Sequence, residues 1–136
     1  MNTIYLVCLV SFELLKRRAL SFFKNAKSDY EHGDYDLVLF HVEQSIQLYL
    51  KYLLYRKMGD YPKIHSIVRL FKDVARIYDS KELNDFLNRN LEAMYLLEEA
   101  YISSRYLPRE YDKEIATRIL KVGEEAIEVF KCLESL

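Results

Sequence analysis

Between Gly33 and Gly59 the chain is apolar on every side of the helix it would form. Leu37, Val38, Leu39, Phe40, Val42, Ile46, Leu48, Tyr49, Leu50, Tyr52, Leu53, Leu54 and Tyr55 all fall in this stretch, with no glycine or proline inside it. Asp34 stands where an N-cap belongs and Met58-Gly59 where the helix should stop. A helix that is apolar all round has to be covered all round. Either it runs through the centre of a bundle, or a second face is buried against another subunit. In so small a bundle one helix rarely reaches full cover alone, so the surplus reads as interface.

The other segments show one apolar face each. From about Ser11 to Glu31, Leu14, Leu15, Ala19, Phe22, Phe23, Ala26 and Tyr30 recur at steps of three and four. Asp60-Tyr61-Pro62 reads as a turn with Pro62 near the first helical position, and a third helix follows from about Lys63 to Tyr78. Ser80 is placed to cap a fourth, running to about Ser104, and the last spans about Asp112 to Leu133. Three glycines and two prolines in 136 residues leave too few turns for a many-stranded sandwich or barrel. The expected fold is all-α: an antiparallel up-and-down bundle of four long helices plus a short fifth, formed by residues 11–136.

Residues 1–10 read as an N-terminal extension: a tail, an extra turn on the first helix, or translation from an upstream start. The apolar run Ile4–Val10 has no preceding basic residues and is far short of a membrane span, so no membrane association is expected and a cytoplasmic location is. Cys8 and Cys132 have no metal spacing and make no disulfide framework; both read as small reduced hydrophobes. A formal net charge of −1 argues against a protein that coats nucleic acid. Three isolated glycines make no phosphate loop, and His32, His41 and His65 show no metal spacing, so no metal or cofactor is expected.

Three polar features stand out. Glu43, Gln44, Gln47 and Lys51 lie inside the apolar second helix, with His41 one turn before Gln44. They form either a narrow solvated stripe or a polar seam facing a cleft or partner. His65 follows Pro62 at a helix start, either bonding nearby backbone or serving a site with a tunable proton. Arg105 lies beside Pro108 in the irregular segment 103–112, either paired with Glu98, Glu99 or Glu110, or offering its fork of donors to a phosphate or carboxylate.

These features resemble the HEPN domain family (higher eukaryotes and prokaryotes nucleotide-binding). Residues 33–54, GDYDLVLFHVEQSIQLYLKYLL, resemble the family's second helix. Gly59 with Pro62-Lys63-Ile64-His65-Ser66 is similar to its next segment, and Tyr101-Ile102-Ser103-Ser104-Arg105-Tyr106 with Pro108 to its late signature. The resemblance implies a helical bundle that commonly dimerises and often partners a minimal nucleotidyltransferase in toxin–antitoxin pairs. It also implies, for many members, metal-independent RNase activity from an arginine, a polar residue and then a histidine a few residues on.

This chain departs from that last motif. Arg105 fills the arginine position, but the aromatic Tyr106 follows it, and Arg109, Glu110 and Tyr111 stand where the histidine belongs. No histidine follows His65. A general acid–base group contributes typically about 10²–10⁴-fold, so its loss points to binding rather than catalysis. The expected function is therefore a dimeric nucleotide- or phosphate-binding module that partners a nucleotidyltransferase. Arg105, Tyr106 and Tyr111 would line the site with Gln44, Lys51 and His65, and RNA is a further possible ligand. The alternative is a metal-independent endoribonuclease toxin using Arg105 and Glu110.

Overall fold

Gly33 and Gly59 both take the left-handed backbone (φ 79° and 75°), which stops the helix before each of them. The computed structural model describes the backbone of residues 3–106 and 109–136, and the side chains of 13–103 and 109–136. The described residues form six helices and no strand: α1 (Thr3–His32), α2 (Tyr35–Met58), α3 (Ile67–Ile77), α4 (Lys81–Arg89), α5 (Leu91–Tyr106) and α6 (Lys113–Glu134). The fold is the expected all-helical bundle. Among the described residues no helix is long and apolar enough to cross a membrane.

The central helix is α2. Helices α1, α3, α5 and α6 all pack against it, and Val38, Leu39, Val42, Ile46, Tyr49, Leu50 and Leu53 have no exposed surface. Most of the apolar surplus is thus covered within one chain, with Leu37 near the start of α2 left exposed. Of the two covers the pattern allowed, the central position holds, and α2 no longer argues for a subunit interface. Two small residues allow close approach. Buried Ser45 donates to the Ala19 carbonyl at 2.7 Å, tying α2 to α1. Gly123 lets α6 lie against both: a Cβ built there would stand 2.8 Å from Phe23 Cε2 and 3.1 Å from Val42 Cγ1.

Several boundaries differ from the sequence pattern, each for a local reason. Helix α3 starts at Ile67, not Lys63, because Ser66 is the cap and accepts from Arg69 N–H; Pro62 lies in the extended segment before it. The expected fourth helix is two. Asn90 leaves the helical conformation (φ −118°, ψ 22°), and its side-chain amide donates to the Phe86 carbonyl at 3.0 Å. Such local bonding competes with the backbone ladder and separates α4 from α5. Helix α5 continues through Tyr106, which puts Arg105 in its last turn rather than in the loop. The backbone from Thr3 belongs to α1, while the side chain of Cys8 lies outside the described residues. Cys132 is exposed on α6 and does not pack as the small hydrophobe the pattern suggested.

The end of α6 is clamped by Glu134. Its carboxylate accepts from Lys16 of α1 at 2.8 Å and from the hydroxyls of Tyr49 and Tyr52 (the latter at 2.9 Å), both on α2. Arg56 donates to its backbone carbonyl at 2.5 Å. One residue therefore joins three helices.

Candidate functional site

The polar seam of α2 is not a solvated stripe. Gln47 and Lys51 are buried, Glu43 is wholly so, and the seam faces α5 and the extended segment before α3. Buried polar groups need partners, and here they find one another. Glu43 accepts from the side-chain amides of Gln44 at 2.8 Å and Gln47 at 2.7 Å. The oxygen of the Gln47 amide then faces two donors, Lys51 Nζ at 3.1 Å and His65 Nδ1 at 3.2 Å. With its proton on Nδ1, His65 donates to that oxygen. Gln47 thereby links a carboxylate on one side to Lys51 and His65 on the other.

Burial pushes the Glu43 carboxyl up to about 7. The Gln44 and Gln47 amides work against that rise, nearby Glu98 adds to it, and Lys51 opposes it. Burial lowers the pKa of Lys51, partly offset by the charge of Glu43. Both groups are thus drawn toward their neutral forms by desolvation. Lys51 Nζ also lies 5.7 Å over the Tyr61 ring, so the extended segment covers it from above.

The seam opens outward through an aromatic row. His65 is exposed and stacks on Tyr101 with ring centroids 5.5 Å apart; the Tyr101 hydroxyl lies 3.4 Å from His65 Nδ1. Tyr101 in turn stacks on Phe40 at 6.4 Å, and Phe40 meets His41 at 5.4 Å. His41 is held by Asp29 of α1 through a 2.5 Å contact between Nδ1 and Oδ2. Glu98 fixes the start of α3 by accepting from Ser66 Oγ at 2.7 Å and from Val68 N–H at 3.0 Å.

Gln44, Lys51 and His65 therefore fall in one connected network. Tyr111 stands apart from it: its hydroxyl is buried with no hydrogen-bond partner among the described residues, and the Arg109 guanidinium lies 5.4 Å over its ring. Glu110 is exposed. The side chains of Arg105 and Tyr106 lie outside the described residues. Glu98 caps α3, and Glu99 pairs with Arg109. Glu43 and Gln47 prove to be the centre of the network, although only their place on one helix face was visible in sequence. Tyr101, Glu98 and Asp29 join from other helices, and no sequence spacing signals that. Among the described residues no group of His, Cys, Asp and Glu could hold a metal.

Comparison with known proteins agrees with this architecture. The sequence model of the HEPN domain matches residues 12–133. The crystal structure of TT1696 from Thermus thermophilus shares the fold with a TM-score of 0.73, at 22% identity over 90% of this chain and 97% of that one. No curated protein matches. With the family's model spanning nearly its whole length, the chain belongs to the HEPN domain family.

Proposed function

We propose that this HEPN chain is a nucleotide- or phosphate-binding module that acts as a dimer beside a minimal nucleotidyltransferase, as in toxin–antitoxin pairs. The observation that carries the binding reading is the aromatic row Phe40–Tyr101–His65 lying over the seam in which Lys51 and His65 meet at Gln47. Tyr101 is buried between Phe40 and His65, so it backs the exposed His65 ring, whose outer face is the one offered to a nucleobase for stacking. Arg105 follows Tyr101 by four residues, one turn further along α5, and is the phosphate-binding group of this proposal, with Tyr106 and Tyr111 beside it in sequence.

Calorimetry with ATP and with a short single-stranded RNA tests this. The expected result is saturable binding, weakened about tenfold by Tyr101→Ala, retained by Tyr101→Phe and lost with Arg105→Ala. No heat with either ligand would remove the proposal. Incubation with total RNA, with and without chelator, separates the endoribonuclease reading. Cleavage abolished by both Arg105→Ala and Glu110→Gln would establish it instead.

The dimer rests on a different surface from α2. Tyr95 and Ile102 lie two turns apart on one face of α5 and are 52% and 58% exposed. Large apolar groups aligned on one helix face suit a protein contact. Gel filtration with light scattering should give a dimer at micromolar concentration, converted to monomer by Tyr95→Glu with Ile102→Glu. A wild-type monomer would exclude it. The partner is tested by its gene: a minimal nucleotidyltransferase encoded alongside and co-purifying is the expected finding.

A further inference from the structure

A cavity of about 700 Å³ lies where α4 breaks into α5 and both face α6. Its origin is the Asn90 break. Helix α5 packs on α2, α3 and α4, while α6 packs on α1, α2 and α4, and the wedge between them stays open. None of its lining residues belongs to the network around Gln47.

The lining is chemically divided. Leu91, Leu96, Ile115, Ile119 and Val122 give it an aliphatic wall with no aromatic ring. Arg89 and Arg118 supply two guanidinium groups against one acid, Glu92. Among the described residues Arg89 makes no hydrogen bond or ion pair. Arg118 reaches Glu114 at 3.5 Å, but both side chains are about three-quarters exposed, and such a pair is worth little.

We propose that this cavity binds a small anionic amphiphile, an aliphatic chain ending in one carboxylate or phosphate. The volume lies in the range of about 300–1,000 Å³ typical of small-molecule sites. The aliphatic wall suits a flexible chain and offers a nucleobase nothing to stack on. The arginine forks match a carboxylate or phosphate head. Glu92 and the Glu114 beside Arg118 balance the two arginines, so the mouth lacks the excess positive charge a nucleic acid needs, and Arg89 is the donor left to hold a single anionic head.

Calorimetry and thermal melting with decanoate and decyl phosphate, below their micellar concentrations, test this. Decanol and decyltrimethylammonium serve as charge controls, and phosphatidylglycerol–phosphatidylcholine vesicles as the membrane arm. The expected result is saturable binding of the two anions with a raised melting temperature, weakened about tenfold in the Arg89→Ala, Arg118→Ala double variant. Val122→Trp, which fills the cavity without touching the charges, should abolish it. Equal binding of decanol or the cation, or no binding of the free anions, would overturn the proposal. So would vesicle binding alone, or a double variant that changes oligomeric state while the anions fail to bind the wild type. The nucleotide titrations do not depend on any of these outcomes.

Discussion

Replacing Glu134 by alanine is expected to destabilise the fold by about 3 kcal/mol, seen as a drop of roughly 10 °C in melting temperature. The size follows from what the substitution leaves behind. Tyr49 has no exposed surface, and its hydroxyl donates to this carboxylate. Without an acceptor, a buried hydroxyl costs about 1–3 kcal/mol. The partly buried ion pair with Lys16 and the bond from Tyr52 are lost as well. Glu134→Gln should recover part of the loss, because an amide oxygen still accepts. The carboxylate also has a pH signature. Burial alone would raise its pKa, but hydrogen bonds from Lys16, Tyr49 and Tyr52 outweigh that and hold it below the ordinary value of 4.5. A depressed carboxyl contributes stability that is present above the unfolded value and lost as pH falls through the folded one. The gap between wild type and Glu134→Ala should therefore narrow in acid. A gap under about 1 kcal/mol at neutral pH would mean that the end of α6 frays and the clamp contributes nothing.

That clamp shows which features a sequence conceals. Helix limits set by one residue's backbone preference were legible: Gly33 and Gly59 by their left-handed turns, Ser80 and Asp112 by the side-chain caps they provide to Leu83 and Ile115. Limits set by competition between neighbours were not. Ser66 and Asn90 carry the same polar groups as many residues inside helices, and only packing decides that these two interrupt the ladder. The candidate site divides along the same line. Gln44, Gln47 and Lys51 share a helix face by spacing alone, whereas Tyr101 and Glu98 reach them from about fifty residues away. The central place of α2 was open for a related reason: the pattern says that a helix is covered on all sides but not by what. Four neighbouring helices supply the answer.

Glu43→Gln should flatten the dependence of stability on pH across the range where Glu134 has no effect. The folded carboxyl titrates near 7, against an ordinary value of 4.5. Between those values the folded chain holds a proton that the unfolded chain has released, so stability falls as pH rises. The penalty is complete above about pH 7 and amounts to roughly 3 kcal/mol at most. At pH 8 the glutamine variant should therefore be the more stable protein, by that amount less whatever the Gln44 and Gln47 amides lose when one acceptor oxygen becomes an NH₂ group. At pH 4.5 the two should melt alike, or wild type slightly higher. The same proton bears on the proposed ligand. Lys51 on α2, Glu98 and Tyr101 on α5 and His65 before α3 are the titratable groups around Glu43. Neutralising Glu43 removes a negative charge beneath them, so a nucleotide phosphate should bind wild type more tightly as pH falls from 8 to 6. In Glu43→Gln that component should vanish. A variant that melts with the wild-type pH slope would show that Glu43 is not the group that titrates.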